Sequence, residues 1–163
     1  MISRLHTRFC AFRGNEQGSI AIEAAAVTPF LVLLVAGVVE FGNIMHNQEL
    51  VQTGVRDAAR YLARVATPAS GETAARNIAT TGMVAGGTQR ITWWAPSNIE
   101  ITYRQTPNPV DATTGLRTYR GNDPITTIRV STTVTYPGLS LLSVLGLDPL
   151  QINATHEERH VGE

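Results

Sequence analysis

The sequence predicts an α+β protein: a long N-terminal transmembrane helix, then a small domain of one short helix and an antiparallel sheet of about three strands. Three observations carry this expectation. From Ala24 to Val39 there is no charged residue. Beyond that run, Val51, Val55, Ala58, Leu62 and Val65 recur at spacings of four, three, four and three, which is one face of a helix. Further on, Ile128, Val130, Thr132, Val134 and Tyr136 alternate with polar residues, the pattern of a half-buried strand.

Composition narrows the function classes. The chain has 163 residues, zero formal net charge and 13 basic side chains, all arginine. With leader and span set aside, roughly 100 residues remain, enough for one small domain. No basic block lies outside the leader, so the chain does not suit nucleic acid. The single cysteine, Cys10, sits in the leader between Arg8-Phe9 and Ala11, flanks unlike a lipoprotein signal. An oxidising compartment is thus permitted but not exploited.

Residues 1–18 read as a leader. Arg4, Arg8 and Arg13 precede the apolar run, and Glu16 is the only acid before Gly18. The positive-inside bias leaves the N-terminus in the cytoplasm and sends the rest across. Residues 19–45 read as the span. Ala24–Val39 alone is shorter than the ~20 residues a bilayer needs. Ser19–Ile22 and Phe41–Met45 bring it into range, at the cost of Glu23 near one end and Glu40 near the other. Glu40 is expected at an interface. Glu23 is the anomaly, because an ionisable group inside a span is expensive and marks function by default. Pro29 removes the bond to the Ala25 carbonyl and is expected to kink the helix, with Thr28 or a neighbouring helix re-satisfying the freed group. Ala21, Ala24, Ala25 and Ala26 form a small-residue zone that suits close helix contact, or serves as ordinary apolar filler.

Three processing fates fit this start. A secretory signal peptide could be cut near Val35-Ala36-Gly37. An uncleaved anchor would leave Glu23 without purpose. The third is a type IV-like prepilin, cut between Gly18 and Ser19 on the cytoplasmic side, which makes Glu23 the fifth residue of the mature chain. Cleavage frees an α-amine on Ser19 with a pKa near ~8. Two charges in lipid offset each other's desolvation only when paired. Glu23 of one helix could then meet the Ser19 amine of a displaced neighbour and set the register of assembly. A carboxylate snorkelling to the inner interface fits the same spacing.

Residues 46–66 read as an extramembrane extension of the helix. Arg56, Arg60 and Arg64 form a stripe at steps of four, with Asp57 and Tyr61 close enough to pair with or cover it. Such a stripe is either a solvated face or a docking surface for a neighbouring subunit. Unbroken from Ser19 to Ala66, the helix would be about 70 Å long. Thr67-Pro68 stops it. Residues 67–163 then form the small α+β head. Ser70 is expected to cap a short helix through Met83, with Ala75, Ile78, Ala79 and Met83 facing inward, closed by Gly82, Gly86 and Gly87. Ile91–Trp94 is a candidate short strand, and Ile99–Arg104 alternates cleanly. The polar stretch 105–124, with Pro107, Pro109, Gly115, Gly121 and Pro124, is long enough to suggest function or disorder. Leu150, Ile152 and Ala154 open a last strand. Leu139–Leu147 is apolar for a connection and could cover the sheet or touch the membrane surface.

The segment from Gln17 to Tyr61 resembles the TadE-like family, minor pilins or pseudopilins of the Tad (Flp, tight-adherence) pilus apparatus. The likeness rests on Gly18, Ala21, Glu23, Pro29, the run Val38-Val39-Glu40-Phe41-Gly42, and Arg56-Asp57-Ala58-Ala59-Arg60-Tyr61. Glu23 is followed by Ala24, where Flp-type prepilins often carry an aromatic residue. The resemblance implies a pilin-like spine and a single-pass protein of a bacterial inner membrane. Its N-terminus would be cytoplasmic and its C-terminal domain periplasmic or extracellular, with incorporation in the pilus as one outcome. Implied partners are a prepilin peptidase, other pilins and the inner-membrane platform proteins of the apparatus. The processing site would be Gly18 and Ser19, the assembly residue Glu23, and the candidate subunit contact Arg56, Arg60 and Tyr61.

One stretch invites a different class. His156-Glu157-Glu158-Arg159-His160 matches H-E-x-x-H, the zinc-protease motif. That motif needs a helix to bring both imidazoles to one face, and a third ligand elsewhere. Here it follows a β-like run with only Val161-Gly162-Glu163 behind it, so a chance match is expected. There is no nucleotide loop and no Cys/His cluster, and no cofactor, metal or small-molecule substrate is called for. Asn153-Ala154-Thr155 is a glycosylation sequon by pattern only. Trp93 and Trp94 fit a partner or sugar contact less well than core or lipid-interface anchoring. The sequence therefore points to a non-enzymatic structural protein, with a type II secretion-like pseudopilin and a membrane-anchored zinc hydrolase as the alternatives.

Overall fold

A computed structural model describes residues 16–138 and 149–162. The leader up to Asn15 and the apolar connection Leu139–Leu147 lie outside the described residues. The architecture is the expected α+β one. Helix α1 spans Glu16–Leu62, a 3-10 turn Pro68–Gly71 leads into helix α2, Glu72–Thr81, and a second 3-10 turn, Pro96–Asn98, enters the sheet. Strands β1 (Ile99–Thr106), β2 (Ile125–Thr135) and β3 (Gln151–Arg159) form one antiparallel sheet in the order β1-β2-β3. The chain divides into two compact units between Gly42 and Asn43.

In the first unit α1 is continuous through Pro29. Thr28 Oγ1 donates to the Ala24 carbonyl at 2.6 Å, so the threonine bonds one residue earlier than the acceptor that proline orphans. Ile22, Phe30, Leu34 and Val38 all lie exposed, and the charge-free stretch presents apolar side chains on every face. A helix apolar all round suits a hydrocarbon surrounding. Gly18–Leu62 is long and apolar enough to cross a membrane.

The second unit is built on the face that the spacing picks out. Val51, Val55, Ala58 and Leu62 are fully or almost fully buried, joined by Ala59. They share one core with Ala75 and Ala79 of α2, and with Ile99, Ile128, Val130, Val134, Ile152 and Ala154 of the sheet. Register explains the sheet's two faces. Ile99 pairs with Thr132, Thr132 with Ala154, and Val134 with Ile152, so alternate residues of all three strands point to the helices. Thr102, Arg129, Thr133 and Glu157 fall on the opposite, exposed face.

Several expected boundaries move. α1 ends at Leu62 rather than Ala66, and the C-terminal segment claims the first carbonyl beyond it. The Ala63 carbonyl accepts from Val161 and Gly162 N–H at 2.8 and 3.0 Å. These bonds supply partners for the orphan acceptors that any helix end leaves. Ser70 does not cap α2. Its hydroxyl turns back to the Thr67 carbonyl at 2.8 Å inside the 3-10 turn, and Gly71 takes the cap position. Gly82 ends α2 with φ 80° and donates to the Ile78 carbonyl, a conformation suited to glycine. The chain turns outward there, so Met83 is exposed instead of inward and Ile78 is only half-buried.

Ile91–Trp94 is a turn and not a strand, with Trp94 N–H bonded to the Ile91 carbonyl at 3.2 Å. The turn delivers Trp94 wholly into the core. Its Nε1 donates to Thr132 Oγ1 at 3.1 Å, and that hydroxyl donates to the Asn98 carbonyl at 2.8 Å. Trp93 packs edge to face on Tyr136, with ring centroids 5.8 Å apart. Both tryptophans thus take the core role.

Candidate assembly surfaces

The residues expected to serve processing and assembly lie on the N-terminal part of α1. Gly18, Ser19 and Glu23 are exposed there. Ser19 and Glu23 are one turn apart, and the Ser19 hydroxyl donates to Glu23 Oε1 at 3.4 Å, near the outer limit for such a bond.

Of the candidate subunit contacts, Arg56 and Arg60 are exposed, while Tyr61 is half-buried and packs on the core. The stripe is not neutralised from its own helix as the sequence suggests. Asp57 turns instead to Arg90, Oδ2 to Nη2 at 2.9 Å. Arg90 itself tucks against Gly82, where an added Cβ would stand 3.1 Å from its Nη2. Arg60 reaches across to Glu158 at 3.7 Å with more than half its side chain exposed, so the pair contributes little. Arg64 is exposed and has no ion pair among the described residues. The sequence reading missed Arg90 and the residues after Gly82. They come next to α1 only through the αL turn, which has no periodic signal.

The H-E-x-x-H match lies at the end of β3 and not on a helix. At the strand rise, the backbone positions of two residues four apart stand about 13 Å from each other, unlike the single turn that brings them together on a helix. Each ring has its own partner: His156 Nε2 lies 3.0 Å from Glu158 Oε1, and His160 Nε2 lies 2.8 Å from the Val65 carbonyl. Among the described residues no cluster of ligating side chains could hold a metal. On β1, Tyr103 donates to Glu72 Oε1 at 2.8 Å, and burial, then that carboxylate, raise its hydroxyl above the usual phenol range.

The stretch 107–124 is built around polar side chains. Asn108 is buried, with Nδ2 donating to the Tyr119 carbonyl and Oδ1 accepting from Tyr119 N–H, at 2.8 and 3.1 Å. Its own N–H donates to Asp123 Oδ1 at 2.8 Å. Asp111 Oδ1 accepts from the N–H groups of Thr114 and Thr113 and from the Thr114 hydroxyl, which holds its carboxyl below the usual range. Both loop carboxylates therefore serve backbone turns, a use signalled by Asp and Asn beside Pro and Gly.

No match was found among curated proteins or among solved structures. Residues 18–60, about a quarter of the chain, match the family model described as TadE-like protein. That stretch runs from the predicted cleavage glycine to Arg60. Over this stretch the chain is similar to the TadE-like family.

Proposed function

We propose that the protein is a minor pilin or pseudopilin that takes part in assembling a Tad (Flp) type IV-like pilus for adhesion or secretion. The observation that carries this reading is the coincidence of the family match, 18–60, with the apolar helix that bears Glu23. In this reading residues 1–18 are a leader removed by a prepilin peptidase, 19–45 lie in the inner membrane, 46–66 extend outside it, and 67–163 form the extracytoplasmic head. The new Ser19 amine pairs with Glu23 of a neighbouring subunit, Pro29 bends the membrane part, and Arg56, Arg60 and Tyr61 contribute to subunit contact. Other pilins and the platform proteins are the partners.

Glu23→Ala separates this role from plain membrane anchoring by sign. Removing a lipid-facing carboxylate makes insertion no worse. Removing one member of a buried pair leaves the other charge uncompensated, which is strongly unfavourable. The expected result in the native host is normal membrane level and normal processing, with little co-assembly by quantitative crosslinking. Undiminished co-assembly would mean that Glu23 is an interfacial residue without an assembly role.

A further inference from the structure

We infer that the groove between the end of α1 and α2 docks an acidic, apolar segment of another protein subunit. The groove is a cavity of about 560 Å³. Tyr61, Val65, Ile78 and Val84 give it an apolar lining, and Arg60 and Arg64 stand at it with exposed side chains. Val84 and the neighbouring Met83 are each more than half exposed, so apolar surface continues out of the groove. The one carboxylate that lines it, Asp57, is already held by Arg90 at 2.9 Å. The charge left to recognise a partner is thus positive, from two guanidiniums one helical turn apart. Guanidinium forks favour carboxylates, and desolvation against the apolar lining strengthens each contact. An occupant that pairs an apolar side chain with flanking Glu or Asp satisfies both parts at once.

The inference rests on the arginine stripe being a subunit contact and adds the chemistry of the partner. The test uses the full chain in detergent micelles and a fluorescein-labelled amphipathic peptide, glutamates flanking a leucine stripe, read by anisotropy. A second peptide carries glutamine at every glutamate. The glutamate peptide should bind at least tenfold more tightly than the glutamine one, and added salt should narrow the difference. Arg60→Gln/Arg64→Gln should lower its affinity at least tenfold, and so should Val84→Asp. Glu158→Gln removes a competitor for Arg60 and should leave affinity equal or higher. Circular dichroism of each variant reports an intact fold. Equal affinity for the two peptides, or unchanged binding by the double arginine variant, would overturn the inference. So would self-association of the chain that the arginine changes abolish, with no peptide binding, since the groove would then belong to a second copy. Co-assembly in the host that needs Arg60 while the peptides bind alike would sink only the partner chemistry. Co-assembly indifferent to Arg60→Gln would sink the subunit contact beneath it.

Discussion

Gly54→Ala sets helix propensity against packing. Gly54 lies inside α1, where replacing glycine by alanine ordinarily gains about 1 kcal/mol. Here a Cβ would stand 2.3 Å from the Ala79 carbonyl oxygen and 2.7 and 2.9 Å from two ring atoms of Trp94. The nearest atom is backbone, so no side-chain rotation relieves it, and the ring is fixed by its bond to Thr132. Either α2 moves off α1 or Trp94 leaves its place in the core. Overpacking of this kind costs about 1–3 kcal/mol and occasionally more. With the clash on a carbonyl and a ring together, the upper part of that range applies, leaving a net destabilisation of about 1–2 kcal/mol after the propensity gain. Chemical unfolding of the full chain in micelles, followed by tryptophan emission, measures it directly. A variant as stable as the parent, or more stable, would show that α1, α2 and Trp94 do not meet as described.

Three further expectations follow from particular residues. Terminal sequencing or mass spectrometry of membrane-extracted protein should find Ser19 at the N-terminus, and a start at Val38 or an intact Met1 would count against prepilin processing. The purified chain should hold no stoichiometric zinc by elemental analysis, and His156→Ala should leave zinc content and adherence unchanged; tight binding lost in that variant would revive the hydrolase. Asp111 has a carboxyl lowered by its hydrogen bonds to Thr114 and Thr113, so its contribution to the loop is complete above the unfolded value near ~3.9 and is lost as pH falls through the lower folded one. The Thr113 and Thr114 amide shifts should therefore hold through that value and move only below it, while Asp111→Asn flattens the curve; a midpoint at or above the ordinary value would refute the capping role.

Long-range periodicity was the most legible signal. The charge-free run, the buried helical face and the alternating strands each repeat over many residues, and repetition reports a shared environment. Gly18, Glu23 and the arginine stripe draw notice for a different reason: charge or glycine stands out against an apolar or helical background. Short-range features were read less well. Ser70, next to a proline and ahead of an alanine-rich stretch, looks like a helix cap, but its hydroxyl is satisfied by Thr67. Trp93-Trp94 beside a strand looks like part of one. Gly54 carried a signal that went unread, since an isolated glycine within a helical pattern marks a close approach.

By itself the sequence determined the membrane-capable helix, the face of its extension that is buried, the α+β class and the family to which residues 18–60 point. Each of these depends on local pattern, which the chain carries wherever it goes. Only the tertiary structure brought Val161 and Gly162 from the far end of the chain to take the Ala63 carbonyl, just beyond the end of α1. It alone paired Asp57 with Arg90 across 33 residues, so that the carboxylate next to the stripe is held from another segment. It also set His156 in β3 and His160 just beyond its end, which separates two residues that a helix would have joined. Contacts between distant segments compete for the same donors and acceptors as local ones, and the winner depends on which groups the fold brings within reach.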